Sequence, residues 1–173
     1  MTAQVKGIVH FLPIADVPTQ CHSGGMPLQV RTASCADIKA MHHLRLAVRE
    51  NRLTDRTKVT QSSYSPYVAA GSAWVAETGD QMLGFAAADG AARQLWALFV
   101  APEAEASGVG RKLHQAVLGW ARAQGIEELW LTTSEGTRAE RFYERAGWEK
   151  VGSNGDGEVR LRRTIPRRVV WRS

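Results

Sequence analysis

Residues 95–124 read LWALFVAPEAEASGVGRKLHQAVLGWARAQ, and this stretch decides the fold. Its first six residues, Leu95 to Val100, are apolar without a break, which is typical of a buried strand. A glycine-containing loop follows at Ser107–Lys112, and apolar residues then recur at helical spacing. A strand that passes through such a loop into a helix directs free backbone N–H groups and the helix dipole at one point. The stretch therefore predicts an anion site, and phosphate is its usual ligand.

The flanking sequence predicts the other strands and helices. Alternation and turn residues predict strands at Leu28–Ala33, Ser72–Thr78, Gln81–Ala88, Gln94–Ala101, Glu128–Thr133, Trp148–Gly152 and Glu158–Thr164. Helical spacing predicts helices from Ala36 to about Glu50, from Gln61 to Ala70, from the glycine loop to Gly125, and from Thr137 to Ala146. Thr32 or Ser34 can cap the first of these helices, and Thr137 the last. The order β-α-α-β-β-β-α-β-α-β-β indicates one α/β domain with a mixed sheet and helices packed on it.

The length and composition favour a single soluble domain. The chain has 173 residues and no apolar run long enough to span a membrane. We expect the domain at residues 27–165, after a poorly ordered N-terminal extension at residues 1–26 that is not a secretion signal. The two cysteines, Cys21 and Cys35, lack metal-ligand spacing and indicate a reducing, cytoplasmic setting.

The net charge of +5 raises the question of nucleic-acid binding. Residues 160–173, RLRRTIPRRVVWRS, carry six arginines and no acidic residue, and the rest of the chain has 16 basic against 17 acidic residues. The basicity is therefore interpreted as a property of the C-terminal tail and not of the folded body, and residues 166–173 are assigned as a basic tail after the domain. Neither nucleic acid nor a membrane is expected as a partner.

Two common classes of phosphate-binding loop do not match this chain. A Walker A loop requires Gly-Lys-Ser/Thr at its end, and that sequence is absent. A dinucleotide fingerprint requires a glycine or alanine three residues after Gly110, where Leu113 stands. That fingerprint also belongs to the first strand of its fold, whereas this loop lies past the middle of the chain.

A third class fits two motifs at once. Gly108-Val109-Gly110-Arg111 follows a strand that ends Leu-Phe-Val-Ala-Pro, and Arg141-Phe142-Tyr143-Glu144-Arg145-Ala146-Gly147-Trp148 comes about thirty residues later. This pair resembles the GCN5-related N-acetyltransferase (GNAT) family over about residues 27–165. The resemblance implies the acyl-CoA N-acyltransferase fold, with a mostly antiparallel central sheet flanked by helices. It also implies acetyl-CoA as co-substrate. No metal is expected, because His42, His43 and His114 lack a ligand partner at metal spacing.

The resemblance assigns roles to residues of the first motif. It implies that the coenzyme A pyrophosphate binds the loop, because glycine lets the backbone N–H groups approach a phosphate closely. It also implies that the backbone of the preceding strand binds the pantetheine arm and that a main-chain N–H there stabilises the oxyanion. The cofactor-binding residues are then Leu98, Phe99, Val100, Ala106, Ser107, Gly108, Val109, Gly110, Arg111, Lys112 and Tyr143.

Tyr143 matches the family's proton donor to the leaving thiolate, although helical spacing alone would make it a core tyrosine. The general base is less well defined, because Gln94 stands near the position where many members have glutamate. Glu50 is our first choice of base, with Asp55 and Asp89 as alternatives. Two further departures are Glu105 at the first loop position and Gly136 where the family often has asparagine. We expect Glu105 to turn outward or to pair with Arg111.

The acceptor is expected to be a primary amine of a small molecule or peptide. Its site should be formed by Arg49–Lys58, Gln61–Ala70 and the Gly152–Gly157 turn, and a homodimer is the assembly considered. The aromatic residues of this region either line an apolar slot or belong to the core: Tyr64, Tyr67, Trp74 and Trp96. Two alternatives stay open, namely a non-catalytic acetyl-CoA-binding sensor and an acetyltransferase whose arginine tail contacts RNA.

Overall fold

Seven strands form one sheet in a computed structural model of the chain, which describes residues 26–47, 59–153 and 155–166. The strands are β1 (Gln29–Thr32), β2 (Ala73–Thr78), β3 (Gln81–Asp89), β4 (Gln94–Val100), β5 (Glu128–Ser134), β6 (Glu149–Ser153) and β7 (Glu158–Thr164). Their order across the sheet is β1-β2-β3-β4-β5-β7-β6. Only β4 and β5 pair in parallel, and the other neighbours are antiparallel. The predicted mixed, mostly antiparallel sheet is confirmed, and each predicted strand lies within one residue of the observed bounds.

Four α-helices accompany the sheet in the described part of the chain. They are α1 (Ile38–Ala47), α2 (Ser65–Ala69), α3 (Val109–Ala123) and α4 (Arg138–Arg145). The first two are shorter than predicted, because each follows a turn of 3₁₀ helix, at Cys35–Asp37 and at Gln61–Tyr64. Pro66 explains the second case: it has no N–H to donate, so it is accommodated only in the first turn of α2. Residues 48–50, the predicted end of α1, lie outside the described residues.

The helix ends carry the capping groups that the sequence predicts. The hydroxyl and N–H of Ser34 donate to the carboxylate of Asp37 at 2.8 and 2.7 Å before α1. Thr137 accepts the N–H of Glu140 in the first turn of α4. Gly125 and Gly147 follow α3 and α4 with φ of 69° and 82°, values that favour glycine and end each helix.

The two faces of the sheet carry different helices. A Cβ placed on Gly84 of β3 would lie 2.9 Å from Val109 and 3.0 Å from Leu113 of α3, so this side of the residue faces α3. The next residue, Phe85, points to the opposite face and packs edge-on against Tyr64 before α2. Because Phe85 and Phe99 are register partners, Phe99 of β4 faces α1 and α2.

The prediction that the basicity belongs to the tail is wrong in part. Three of the six arginines lie in β7: Arg160 and Arg162 alternate with the buried Val159 and Leu161, and the half-buried Arg163 lies on the same face as those two residues. The guanidinium carbon of Arg160 lies 4.2 Å from the centre of the Trp130 ring, and Arg162 pairs with acidic residues of the neighbouring strands. A strand with one buried face can carry charge on its other face, as β7 does with Arg160 and Arg162. All three arginines are part of a paired strand and therefore belong to the folded body. Residues 167–173 lie outside the described residues.

Candidate active site

The strands β4 and β5 separate soon after they begin. They are bridged at Gln94 and Trp130, with the N–H of Trp130 donating to the Arg93 carbonyl at 3.0 Å. No further register pair between the two strands occurs in the described residues. We call the opening between the rest of β4 and β5 the β4–β5 gap. It leaves one edge of β4 without a neighbouring strand.

A β-bulge determines which backbone groups face this gap. In the register of β3 and β4, Ala87 lies opposite Ala97 and Ala88 lies opposite Leu95, so Trp96 is an extra residue. The extra residue reverses the alternation of N–H and C=O directions along β4. Beyond it, Ala101 donates to β3, and alternation therefore turns the polar groups of Leu98 and Val100 toward the gap.

The loop before α3 adopts a conformation that exposes N–H groups. Ala106 and Gly108 have positive φ, 60° and 87°, and α3 begins directly after Gly108. The first N–H of this helix with a backbone acceptor is that of Lys112, which donates to Gly108 at 3.0 Å. Within the described residues, no backbone carbonyl accepts the N–H groups of residues 109–111. These groups and the helix dipole make the start of α3 attractive to an anion.

Two basic side chains lie near this helix start, and they point in different directions. A terminal nitrogen of Arg111 lies 3.6 Å from the position that a Cβ on Gly108 would take, so its guanidinium covers the loop. Lys112 donates from Nζ to the Leu28 carbonyl at 3.0 Å, which directs its ammonium toward β1. Glu105 is half-buried at the mouth of the loop and makes an interaction of its own.

Tyr143 lies in an aromatic interface between α3 and α4. Its side chain is 1% exposed and contacts the rings of His114, Phe142 and Trp148. Burial raises the pKa of Tyr143 well above its ordinary value, so the phenol is protonated at neutral pH. Burial, with the nearby Arg163, lowers the pKa of His114 to about 4, and its neutral Nε2 accepts the Trp148 indole N–H at 2.9 Å.

The opposite face of β4 carries polar groups that sequence reasoning missed. Five residues contribute to what we call the α1–β4 cluster: His42, Arg45, Tyr64, Trp96 and Phe99. Arg45 is 6% exposed, and its guanidinium carbon lies 4.7 Å from the centre of the Phe99 ring. None of its three guanidinium nitrogens has a hydrogen-bond partner in the described part of the chain. Burial lowers the pKa of Arg45 accordingly.

The sequence does contain a signal for Arg45. It stands four residues after Met41 and one after Leu44, on the buried stripe of α1, where an apolar residue is expected. Desolvation of a charged side chain costs several kcal/mol. Its contacts with aromatic faces offset about 0.5–2 kcal/mol of this. A buried guanidinium without a partner is therefore an unfavourable feature of the fold on its own.

Of the three candidate bases, Asp89 is the one that lies within the described residues. Glu50, Asp55 and the Arg49–Lys58 segment lie outside the described residues. Asp89 accepts the Ala92 N–H at 2.8 Å within the turn between β3 and β4, and Gln94 is buried at the start of β4.

The four aromatic residues proposed for the acceptor slot lie on two different faces of the sheet. Trp74 is a register partner of Ala86, faces α3, and packs edge-on against Trp120. On the other face, Tyr67 stacks on Trp96 with ring centres 4.5 Å apart, and Tyr64 packs edge-on against the same indole. Trp74 therefore does not belong with the other three.

The described residues contain no group of three or more histidine, cysteine, aspartate or glutamate side chains placed to hold a metal ion. None of the helices in the same part of the chain has both the length and the hydropathy needed to cross a bilayer.

The fold is shared with solved acetyltransferase structures. The PaiA N-acetyltransferase of Thermoplasma acidophilum, solved with coenzyme A, superposes with a TM-score of 0.70 at 15% identity over 80% of this chain and 99% of that one. YncA of Salmonella typhimurium, a putative acetyltransferase solved with acetyl-CoA, gives 0.66 at 16% identity over 83% and 97%. The ribosomal-protein-S18-alanine N-acetyltransferase of Escherichia coli gives 0.65 at 16% identity over 80% and 94%.

Sequence comparison gives the family directly. No curated protein sequence matches the chain at a significant level. The family model described as "Acetyltransferase (GNAT) family" matches residues 39–148, which include β2 to β5, the glycine loop and α4. The match covers more than half of the chain, and the chain therefore belongs to the GNAT family of acetyltransferases.

Proposed function

We propose that the chain transfers the acetyl group of acetyl-CoA to a primary amine of a small molecule or peptide. The observation that carries this proposal is that the chain combines the β4–β5 gap with a helix start, that of α3, whose first N–H groups have no backbone acceptor among the described residues. The gap offers unpaired strand groups to an extended polar arm, and the helix start offers N–H groups to phosphates. The related structures with coenzyme A and acetyl-CoA support this choice of co-substrate.

Coenzyme A fits the groups present at each end of this arrangement. Its pyrophosphate would bind the loop Ala106, Ser107, Gly108, Val109, Gly110, Arg111 and Lys112, with the guanidinium of Arg111 over the loop and Lys112 adding charge at a greater distance. Its pantetheine arm would lie along Leu98, Phe99 and Val100. The bulge at Trp96 supports this register, because it turns the polar groups of Leu98 and Val100 toward the gap.

The reaction is an attack of the neutral amine nitrogen on the thioester carbonyl carbon. A new C–N bond forms, the carbonyl oxygen gains negative charge, and a main-chain N–H of β4 stabilises that charge. When the carbonyl re-forms, the C–S bond breaks and the sulfur leaves as a thiolate. Tyr143 would donate its phenolic proton to this sulfur, because burial keeps the phenol protonated until a strong base appears nearby.

The proton that the amine loses requires a base. An alkylammonium with a pKa of about 10.4 costs roughly 4–5 kcal/mol to deprotonate at pH 7. We propose that Glu50 accepts this proton through water, since the buried Gln94 cannot. The acidic limb of the pH–rate profile should then disappear in Glu50→Gln. Retention of that limb would remove Glu50 from the mechanism.

Product identification tests the proposed function. The purified chain is incubated with acetyl-CoA and pooled amines, which include diamines, amino acids and short peptides, and acetylated products are identified by mass spectrometry. We expect N-acetylated product that requires both acetyl-CoA and the chain. Tight binding of acetyl-CoA with no acetylated amine from any pool would instead indicate a non-catalytic module.

A further inference from the structure

The buried Arg45 is not used by the proposed acetyl transfer. It lies in the last turn of α1, above the aromatic face of β4 and on the side of the sheet opposite α3. The pyrophosphate loop and Tyr143 act from other elements, so neither explains a cation at this point. An arginine with no partner for its guanidinium nitrogens in the described residues has five N–H donors available for a ligand.

Two further polar atoms of the α1–β4 cluster share this condition. The Tyr64 hydroxyl and the His42 Nδ1 are buried and lack a hydrogen-bond partner among the described residues. The Tyr64 and His42 rings lie 6.0 Å apart, and Tyr64 also contacts Trp96, one of the two rings beneath Arg45. Three side chains of one aromatic cluster thus have buried polar atoms without a partner in the described ranges, and this indicates a binding site for a polar group, since buried polar atoms are almost always paired in native proteins.

The charge of the α1–β4 cluster indicates which kind of ligand group it would bind. Burial is the main cause that lowers the pKa of His42, and the positive charges of His43 and Arg45 add to it, so His42 is neutral at pH 7. Burial raises the pKa of Tyr64 to about 12, so its phenol is neutral as well. A single planar cation is thus left, and it matches a monovalent carboxylate in charge and in bidentate geometry.

We propose that the acceptor of this chain is an amine that also carries a carboxylate, which Arg45 binds while Tyr64 donates a further hydrogen bond. This inference rests on the proposed acetyl transfer and specifies its substrate class. Phe99 connects the two sites, because its ring contacts Arg45 while its backbone belongs to the β4 segment beside the gap. The acceptor's anionic end would then be fixed on one face of β4 and its amine directed to the edge of the same strand.

Matched acceptors test the requirement for a carboxylate. Acetyl transfer is measured for glycine, β-alanine, 4-aminobutyrate and 6-aminohexanoate, each beside its amide, in the wild type, Arg45→Met, Arg45→Lys and the control Arg122→Met, an exposed arginine of α3. For the best chain length we expect the acid to exceed its amide in kcat/KM by about tenfold or more. This ratio should fall to near one in Arg45→Met, mainly through slower reaction of the acid, and stay unchanged in Arg122→Met.

The same series separates carboxylate from phosphate. The amine 2-aminoethyl phosphate is measured in parallel with the acids. A higher kcat/KM for the phosphate than for every acid, lost in Arg45→Met, would overturn the assignment of a carboxylate. An acid-to-amide ratio that is the same in the wild type and Arg45→Met would overturn the role of Arg45.

Thermal unfolding supplies a readout that does not depend on turnover. Without ligand, Arg45→Met should unfold at a higher temperature than the wild type, because it removes a buried charge that has no hydrogen-bond partner in the described part of the chain. At least one of the acids should raise the Tm of the wild type but not that of Arg45→Met. A lower Tm for ligand-free Arg45→Met, or no response of the wild type to any acid, would contradict the site. If the carboxylates stabilise only the wild type and no amine is acetylated, the anion site stands and the proposed transfer fails.

Discussion

The indole N–H of Trp148 donates to Nε2 of His114 at 2.9 Å, and this buried bond joins α3 to the residue that precedes β6. The Tyr143 ring contacts both partners, with centres 6.2 Å from His114 and 5.3 Å from Trp148. The bond requires a neutral imidazole, because a protonated Nε2 cannot accept. The position of Tyr143 is therefore coupled to the protonation state of His114.

This coupling predicts a loss of stability in mild acid. The folded pKa of His114 is about 4, below its ordinary value of 6.5, so the unfolded chain binds a proton that the folded chain does not in this range. The free energy of unfolding has its full value above pH 6.5 and decreases as the pH approaches 4. His114 accounts for about 3 kcal/mol of this decrease. Urea unfolding of the wild type at a series of pH values measures the slope.

The matched variant for this prediction is His114→Gln, whose amide oxygen can still accept from Trp148 without titrating. Its stability should depend less on pH between 6.5 and 4. A smaller slope remains, because the pKa of His42 is lowered as well and acts with the same sign. An unchanged slope in His114→Gln would show that His114 is not the group responsible.

A second prediction concerns the packing of β3 and β4 against α3. A Cβ on Gly84 would lie 2.7 Å from the Phe99 carbonyl oxygen and 2.9 Å from Val109, so Gly84→Ala should destabilise the chain by about 1–3 kcal/mol. The matched control is Gly119→Ala in the middle of α3, where a Cβ meets nothing within 4 Å. That change should stabilise the helix by about 0.5–1 kcal/mol. Urea unfolding measures both changes. Equal changes in the free energy of unfolding for Gly84→Ala and Gly119→Ala would contradict the close contact at Gly84.

A third prediction concerns the anion site at the start of α3. Arg111→Gln removes the guanidinium that covers the glycine loop, and it should weaken coenzyme A binding by roughly three- to tenfold at low salt, with a smaller effect at high salt. Arg122→Gln, near the other end of the same helix, should leave the affinity unchanged. Isothermal titration of both variants at two salt concentrations measures this. Equal losses in the two variants would argue against a pyrophosphate at the loop.

The elements of this fold could be predicted from local patterns. The apolar run Leu95–Val100, the caps Ser34 and Thr137, and the glycines after α3 and α4 each act within a few residues, and their predicted positions agree with the structure. These features depend on backbone conformation and short-range hydrogen bonds, which neighbouring residues determine.

The features that were missed depend on contacts between distant segments. The bulge at Trp96 exists only in the register of two paired strands, and Trp74 is assigned to α3 only once the faces of the sheet are known. Arg45 interrupts an apolar stripe, but only the packing of α1 on β4 shows that its guanidinium has no hydrogen-bond partner among the described residues. The roles of the glycine loop and of Tyr143 stay predictions.

Acetyl-CoA-dependent thiol release in the wild type and in Tyr143→Phe tests the central claim most directly. The account predicts thiol release by the wild type that rises with amine concentration. Tyr143→Phe should bind acetyl-CoA with an affinity within about twofold of the wild type, while its turnover falls by about a hundredfold, as expected for the loss of a proton donor. Binding of acetyl-CoA without amine-dependent thiol release by the wild type would contradict acetyl transfer, and unchanged turnover in Tyr143→Phe would contradict its role as the acid.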